Sequence, residues 1–151
     1  LYNHPKVKEL INFTKGEGFG RPLLEFTQAK KPIIASGWSG HIDFLDKDKA
    51  ILIGGTLQNV HPSAADDFIL KEAQWFTPDD GQVAKAFRET FKHYKKYLPL
   101  AKELGTRNKK EFSFDAMVSK LVEILDKNLP EFPKKIELTL PKLDLPKLEK
   151  I

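Results

Sequence analysis

The chain has no cysteine in its 151 residues. That excludes disulfides, thiolate metal sites and a cysteine nucleophile. The same absence fits a reducing compartment without requiring one, and the expected location is the cytoplasm. No apolar run approaches the roughly 18 residues of a membrane span, and no signal-peptide pattern opens the sequence. A large excess of one charge sign is absent as well, 25 Lys or Arg facing 21 Asp or Glu for a net value of only +4. The length suits one domain and can bury a real core without staples. The chain starts at Leu1 and enters at once a strand-like pattern, so a piece of a longer protein is expected.

What is present is a succession of short apolar runs, each stopped by glycine or proline. Residues 8–14, 32–36 and 50–53 read as buried strands. Residues 22–30 read as a helix between the first two, and residues 41–45 as a single helical turn. Short apolar strands alternating with helices predict an α/β fold, a parallel sheet covered on both faces. Residues 56–60 suggest a further strand and residues 63–71 a weak helix capped by Ser63. The stretch Thr77-Pro78-Asp79-Asp80 signals a turn and a helix start.

The clearest helix follows. Val83, Phe87, Phe91, Tyr94 and Leu98 recur at helical spacing as its apolar face, with Lys85, Arg88, Lys92 and Lys95 opposite. Pro99 is expected to end or kink it. A last helix spans residues 114–127, with Ser113 as its cap and Met117, Leu121, Ile124 and Leu125 as its apolar face. Residues 1–129 thus form one domain. Residues 130–151 differ, because prolines five apart forbid a regular helix and disfavour a central strand. An extended tail is expected there, its leucines bound to this domain, to an absent domain, or to a second copy in a homo-oligomer; disorder is the alternative.

The run Glu17-Gly18-Phe19-Gly20-Arg21-Pro22-Leu23-Leu24-Glu25 carries the chemistry. Two carboxylates stand eight residues apart around a glycine loop and a proline suited to open a helix. Gly18 and Gly20 allow a ligand to approach the backbone closely. The N–H groups of Leu23 and Leu24 are expected to be free for a diphosphate. In open α/β sheets ligands sit outside the C-terminal ends of the strands, where carboxylates can accept hydrogen bonds from sugar and ribose hydroxyls.

These residues, followed by Lys-Lys-Pro-Ile-Ile-Ala-Ser-Gly-Trp-Ser-Gly-His-Ile-Asp-Phe-Leu, resemble the group 1 retaining glycosyltransferases of the GT-B fold, over roughly residues 10–125. The resemblance implies a Rossmann-like, nucleotide-sugar-binding half-domain of an enzyme of hexosyltransferase type in carbohydrate biosynthesis. That enzyme would move a sugar from a nucleotide-diphosphate donor to an acceptor hydroxyl of a glycan, lipid or protein, with retention and with no cofactor. By resemblance Glu17 is the catalytic carboxylate at the donor sugar and Glu25 holds the ribose. Gly18, Phe19 and Gly20 approach the sugar, and Leu23 and Leu24 the diphosphate. Arg21 either reaches a phosphate or lies in solvent. Ser39-Gly40 stands where the family usually has Gly-Gly, and Asp43 where it usually has a glutamate. The family's upstream Arg and Lys and its N-terminal domain are not in this sequence, so the piece is expected to be inactive alone.

Other candidates point elsewhere. His41 and His61 lack a metal-binding pattern and read as structural or surface residues. Trp38 either packs locally or stacks on a base or sugar. Asp66-Asp67 and Asp79-Asp80 read as solvent-facing acids and a helix-start turn, and no metal site is expected. Between residues 85 and 110 nine Lys or Arg face two acids. That stripe is either a solvated face or a surface for an anionic partner, the acceptor substrate or a membrane to which the protein is peripheral. Without interleaved exposed aromatics it does not suit nucleic acid. The rival functions are a GT-B-like nucleotide-sugar epimerase and a non-catalytic module that binds partners through its tail.

Overall fold

A computed structural model of the chain describes residues 1–130. The expected tail, and its dock, lie outside the described residues. The fold is mixed α/β. Strands β1 (Leu10–Asn12), β2 (Ile33–Ser36) and β3 (Ile51–Ile53) form a parallel sheet in that order. Leu10 stands opposite Ile33 and Ile34 opposite Ile51. Helix α1 (Arg21–Thr27) links β1 to β2. The link from β2 to β3 holds a 3-10 turn, Gly40–Asp43, where a single helical turn is expected from sequence.

Successive residues of a strand point to opposite faces, and β2 is buried on both. Ile33 and Ala35 join Leu23, Phe26, Phe44, Leu45 and Leu104 in one cluster, while Ile34 joins Ile53 and Ala86 in another. Ala86 and Leu104 both belong to helix α2 (Asp80–Glu111). The first half of α2 therefore covers one face of the sheet and its second half the other. Between them His93 leaves helical geometry, at φ −120° and ψ 30°. There the Tyr94 hydroxyl donates to the Lys8 carbonyl at 2.9 Å, beside the start of β1. The helix does not stop at Pro99, which lies inside it.

The buried face of α2 is only partly the predicted one: Val83 packs against the Ile34 cluster, and Tyr94 and Leu98 are half-buried. Ala86, Thr90, Ala101, Leu104, Gly105 and Asn108 are buried, whereas Phe87 is 39% exposed and Phe91 89%. Small side chains let this helix lie close to the sheet and to α1, and the large aromatics are displaced outward.

Two further expectations are corrected. Residues 63–71 form no α-helix. A 3-10 turn spans Pro62–Ala64 with His61, not Ser63, as its cap. The Asp66 carboxylate then accepts from the N–H groups of Phe68 and Ile69 at 2.8 and 2.7 Å, a local turn that competes with helix. Residues read as the approach to a turn instead form β5 (Gln74–Pro78), antiparallel to β4 (Gly55–Asn59) in a second, two-stranded sheet.

Helix α3 (Phe114–Asn128) starts as expected, the Ser113 hydroxyl accepting from the Ala116 N–H at 3.2 Å. Its expected apolar face is not buried: Met117, Leu121, Ile124 and Leu125 are 41–55% exposed among the described residues. Among those residues no helix is long and apolar enough to cross a membrane.

Candidate functional site

The segment between β1 and α1 is built by its neighbours. After β1, the Lys15 carbonyl accepts from the Phe76 N–H at 3.1 Å, tying the loop to β5. The Lys15 ammonium lies 5.3 Å from the centre of the Trp75 ring. Glu17 follows, and the loop beyond β2 grips its backbone. The Glu17 N–H donates to the Ser39 hydroxyl at 2.8 Å. That hydroxyl donates to the Glu17 carbonyl at 2.6 Å, and the Gly40 N–H to the same carbonyl at 3.0 Å. A Cβ on Gly40 would overlap the Gly18 carbonyl, so glycine is what lets the two loops touch. The Glu17 carboxylate itself has no hydrogen bond or ion pair among the described residues.

Beyond Glu17 the loop is anchored by Phe19, whose ring lies 5.1 Å from that of Phe44 and 6.0 Å from that of Phe112. Gly20 caps α1 at φ 82°, a left-handed conformation in which a side chain would also meet the His41 Cβ. Its carbonyl accepts from both the Leu23 and the Leu24 N–H, at 3.0 and 3.2 Å. The expectation of two free N–H groups at these positions is thus corrected: the helix turns tightly enough to satisfy them, and Pro22 has none to offer. The Leu23 side chain is fully buried.

Arg21 is paired. Its Nε lies 3.1 Å from a Glu25 carboxylate oxygen, one helical turn away, with both side chains well exposed. Glu25 also lines a crevice of about 410 Å³ with Gln28, Asn108, Lys109 and Phe112, in which Glu17 takes no part. A wider crevice, about 600 Å³, lies past the ends of β2 and β3. Gly37 and Gly54 line it together with Asp43, Asp46, Lys47 and Arg107. Asp46 there is held below the usual carboxylate range, chiefly by its hydrogen bond with Lys49 at 2.9 Å, then by the Asp48 N–H. Arg107 reaches Asp46 at 3.3 Å and donates to the Phe44 carbonyl at 2.8 Å, fastening the second half of α2 to this segment.

Trp38 is 42% exposed and stacks nearly parallel on Phe76, with a 7° interplanar angle and 6.0 Å between centroids. Its position beside Ser39 puts an exposed aromatic next to the Glu17 loop. His41 is fully buried, with Nε2 2.6 Å from the Ser36 carbonyl. A carbonyl only accepts, so Nε2 carries the proton, and Nδ1 has no partner. His61 is an exposed turn residue bonded to Ser63. Among the described residues no group of three His, Asp or Glu side chains is placed to hold a metal ion.

The residues that sequence reasoning passed over are Lys15, Arg107 and Asn108. Each acts through a backbone carbonyl or a residue distant in the chain, and composition carries no signal of that. No protein-family model matches the chain, and no curated protein matches it.

Proposed function

We propose that this chain is the donor-binding part of a retaining glycosyltransferase, a Rossmann-like half-domain of a GT-B enzyme. In this reading a hexosyl group passes from a nucleotide-diphosphate sugar to an acceptor hydroxyl. The observation that carries the reading is Glu17: a carboxylate without a partner among the described residues, on a backbone clasped by Ser39 and Gly40 beyond the C-terminal end of a parallel strand. Ligands of open α/β sheets lie at those strand ends. An unpaired carboxylate on a held backbone is suited to sugar hydroxyls, because it accepts hydrogen bonds only.

The roles are those that the glycosyltransferase resemblance implies. Glu17 orients the donor sugar, and the open space around Gly18 admits it against the backbone. Glu25 holds the ribose, which requires it to leave Arg21. The exposed pair is weak, worth about 0–1 kcal/mol, so the exchange costs little. Arg21 then becomes available to the diphosphate, replacing the helix N–H groups that Gly20 already satisfies. The parent enzyme would supply the acceptor site and further cations for the diphosphate, so isolated residues 1–151 should bind donor only weakly.

Kinetics of the parent enzyme test the assignment. Glu17→Gln should lower turnover more than donor affinity. Glu25→Ala should weaken donor binding by about tenfold to hundredfold, the loss of a hydrogen bond to a charged group. If both variants retain full turnover and full donor affinity, the reading is wrong.

A further inference from the structure

We propose that the outer face of the first half of α2 docks on an anionic lipid bilayer, with Phe91 as its apolar anchor. The inference stands apart from the glycosyl-transfer reading. From residue 85 to residue 96 there are five basic residues, Lys85, Arg88, Lys92, Lys95 and Lys96, and one acid, Glu89. That local excess equals the net charge of the whole chain, +4. All five basic residues are exposed. Spacings of three and four place Lys85, Arg88 and Lys92 on one side of the first half of α2, with Phe91 one turn from Arg88, and Lys95 and Lys96 follow the break at His93. Glu89, four residues from Lys85 and three from Lys92, borders that side and is met by His93 at 3.8 Å.

Phe91 is the second observation, independent of charge. It is 89% exposed at the border of the basic arc, although its sequence spacing assigns it to the core. The core rejects it because Ala86 and Thr90 already fill the closely approached side of α2. An aromatic ring so exposed on a basic helix face matches the way interfacial helices insert an apolar group below lipid headgroups while lysines stay at their level.

The chemistry favours a lipid surface over a shaped partner. Four of the five cations are lysines, compact point charges that respond to a diffuse negative surface, whereas planar bidentate recognition of phosphodiesters favours arginine. The face is also compatible with an open site. Tyr94 bonds to Lys8 at the start of β1, so the Lys92–Lys96 end of the arc lies at the end of the sheet opposite Glu17.

Co-sedimentation of the full chain with vesicles tests this. At about 0.1 M salt, where the screening length is about 10 Å, vesicles of phosphatidylcholine with phosphatidylglycerol should bind the chain and pure phosphatidylcholine should not. Binding should vanish near 1 M salt, where that length falls to about 3 Å. Lys92→Gln and Lys95→Gln should each weaken it about fivefold. Phe91→Ser should weaken it while leaving the charge, the helical circular dichroism and the melting temperature in place. No binding to anionic vesicles, equal binding to neutral ones, or indifference to Phe91→Ser would overturn the proposal. So would duplex DNA or RNA binding more tightly than the vesicles and displacing them, which would assign the face to nucleic acid.

Discussion

The hydroxyl of Ser39 closes a ring with the backbone of Glu17, accepting from its N–H at 2.8 Å and donating to its carbonyl at 2.6 Å. One side chain thereby joins the loops that follow two neighbouring parallel strands and holds the backbone from which the Glu17 side chain projects. Ser39 does so at φ 83° and ψ −172°, a region normally open only to glycine.

Substitutions at Ser39 should show both effects. Ser39→Ala loses the hydrogen bonds and keeps the strain. Ser39→Gly loses the same bonds and relieves strain worth about 1–3 kcal/mol. Denaturant unfolding should therefore find Ser39→Ala the less stable of the two, and equal stabilities would remove strain from the account.

Gly40 and Gly18 should behave oppositely. Gly40→Ala drives a methyl group into the Gly18 carbonyl and should destabilise by roughly 1–3 kcal/mol, as overpacking does. Gly18→Ala meets no atom within 4 Å, and its melting temperature should stay close to that of the unaltered chain. If a donor sugar lies against that backbone, Gly18→Ala should nonetheless weaken donor binding in the parent enzyme, as calorimetry would measure.

An exposed glycine inside a helix usually gains about 0.8–1 kcal/mol on replacement by alanine. Gly105→Ala should do the reverse, because the added Cβ would overlap the Thr27 carbonyl where α2 crosses α1. A rise in melting temperature would contradict that close packing.

Stability should also respond to pH at Glu9. One oxygen of its carboxyl is buried without a partner, and burial raises its pKa above the ordinary 4.5. The folded state therefore holds the proton more tightly than the unfolded state. The resulting stability is complete below the unfolded value and is lost as pH climbs through the folded one. Glu9→Gln should flatten this dependence and raise the melting temperature at pH 7 relative to the unaltered chain, checked by thermal scans across pH. Asp46 acts with the opposite sign. Its lowered pKa gives stability present above the unfolded value and lost as pH falls through the folded one, so Asp46→Asn should cost most near neutrality.

Much of the framework was legible along the chain. The three parallel strands are short apolar runs, β2 and β3 stopped by Gly37 and Gly54, and α1 carries its proline in the first turn. Asp79 and Ser113 cap α2 and α3 by hydrogen bonds spanning three residues. These features rest on neighbours in sequence, where backbone preference and side-chain reach are local quantities. The Glu17–Glu25 spacing is likewise local, within a single loop and helix turn, but Glu25 lines a crevice in which Glu17 takes no part.

Tertiary structure decided the rest. Strand β5 carries no clear alternation and takes its pairing from β4, so it exists only as half of a pair. The inward side of α2 was set by how closely the helix approaches the sheet, which selected Ala86 and Thr90 over Phe87 and Phe91. The bend at His93 comes where one helix passes from one face of the sheet to the other. The clasp on Glu17 spans 22 residues, and the anchoring of Phe44 by Arg107 spans 63. Periodicity reports which residues share a side of an element. It does not report the distance at which that element will pack, and that distance chose which side was buried and which stayed in water.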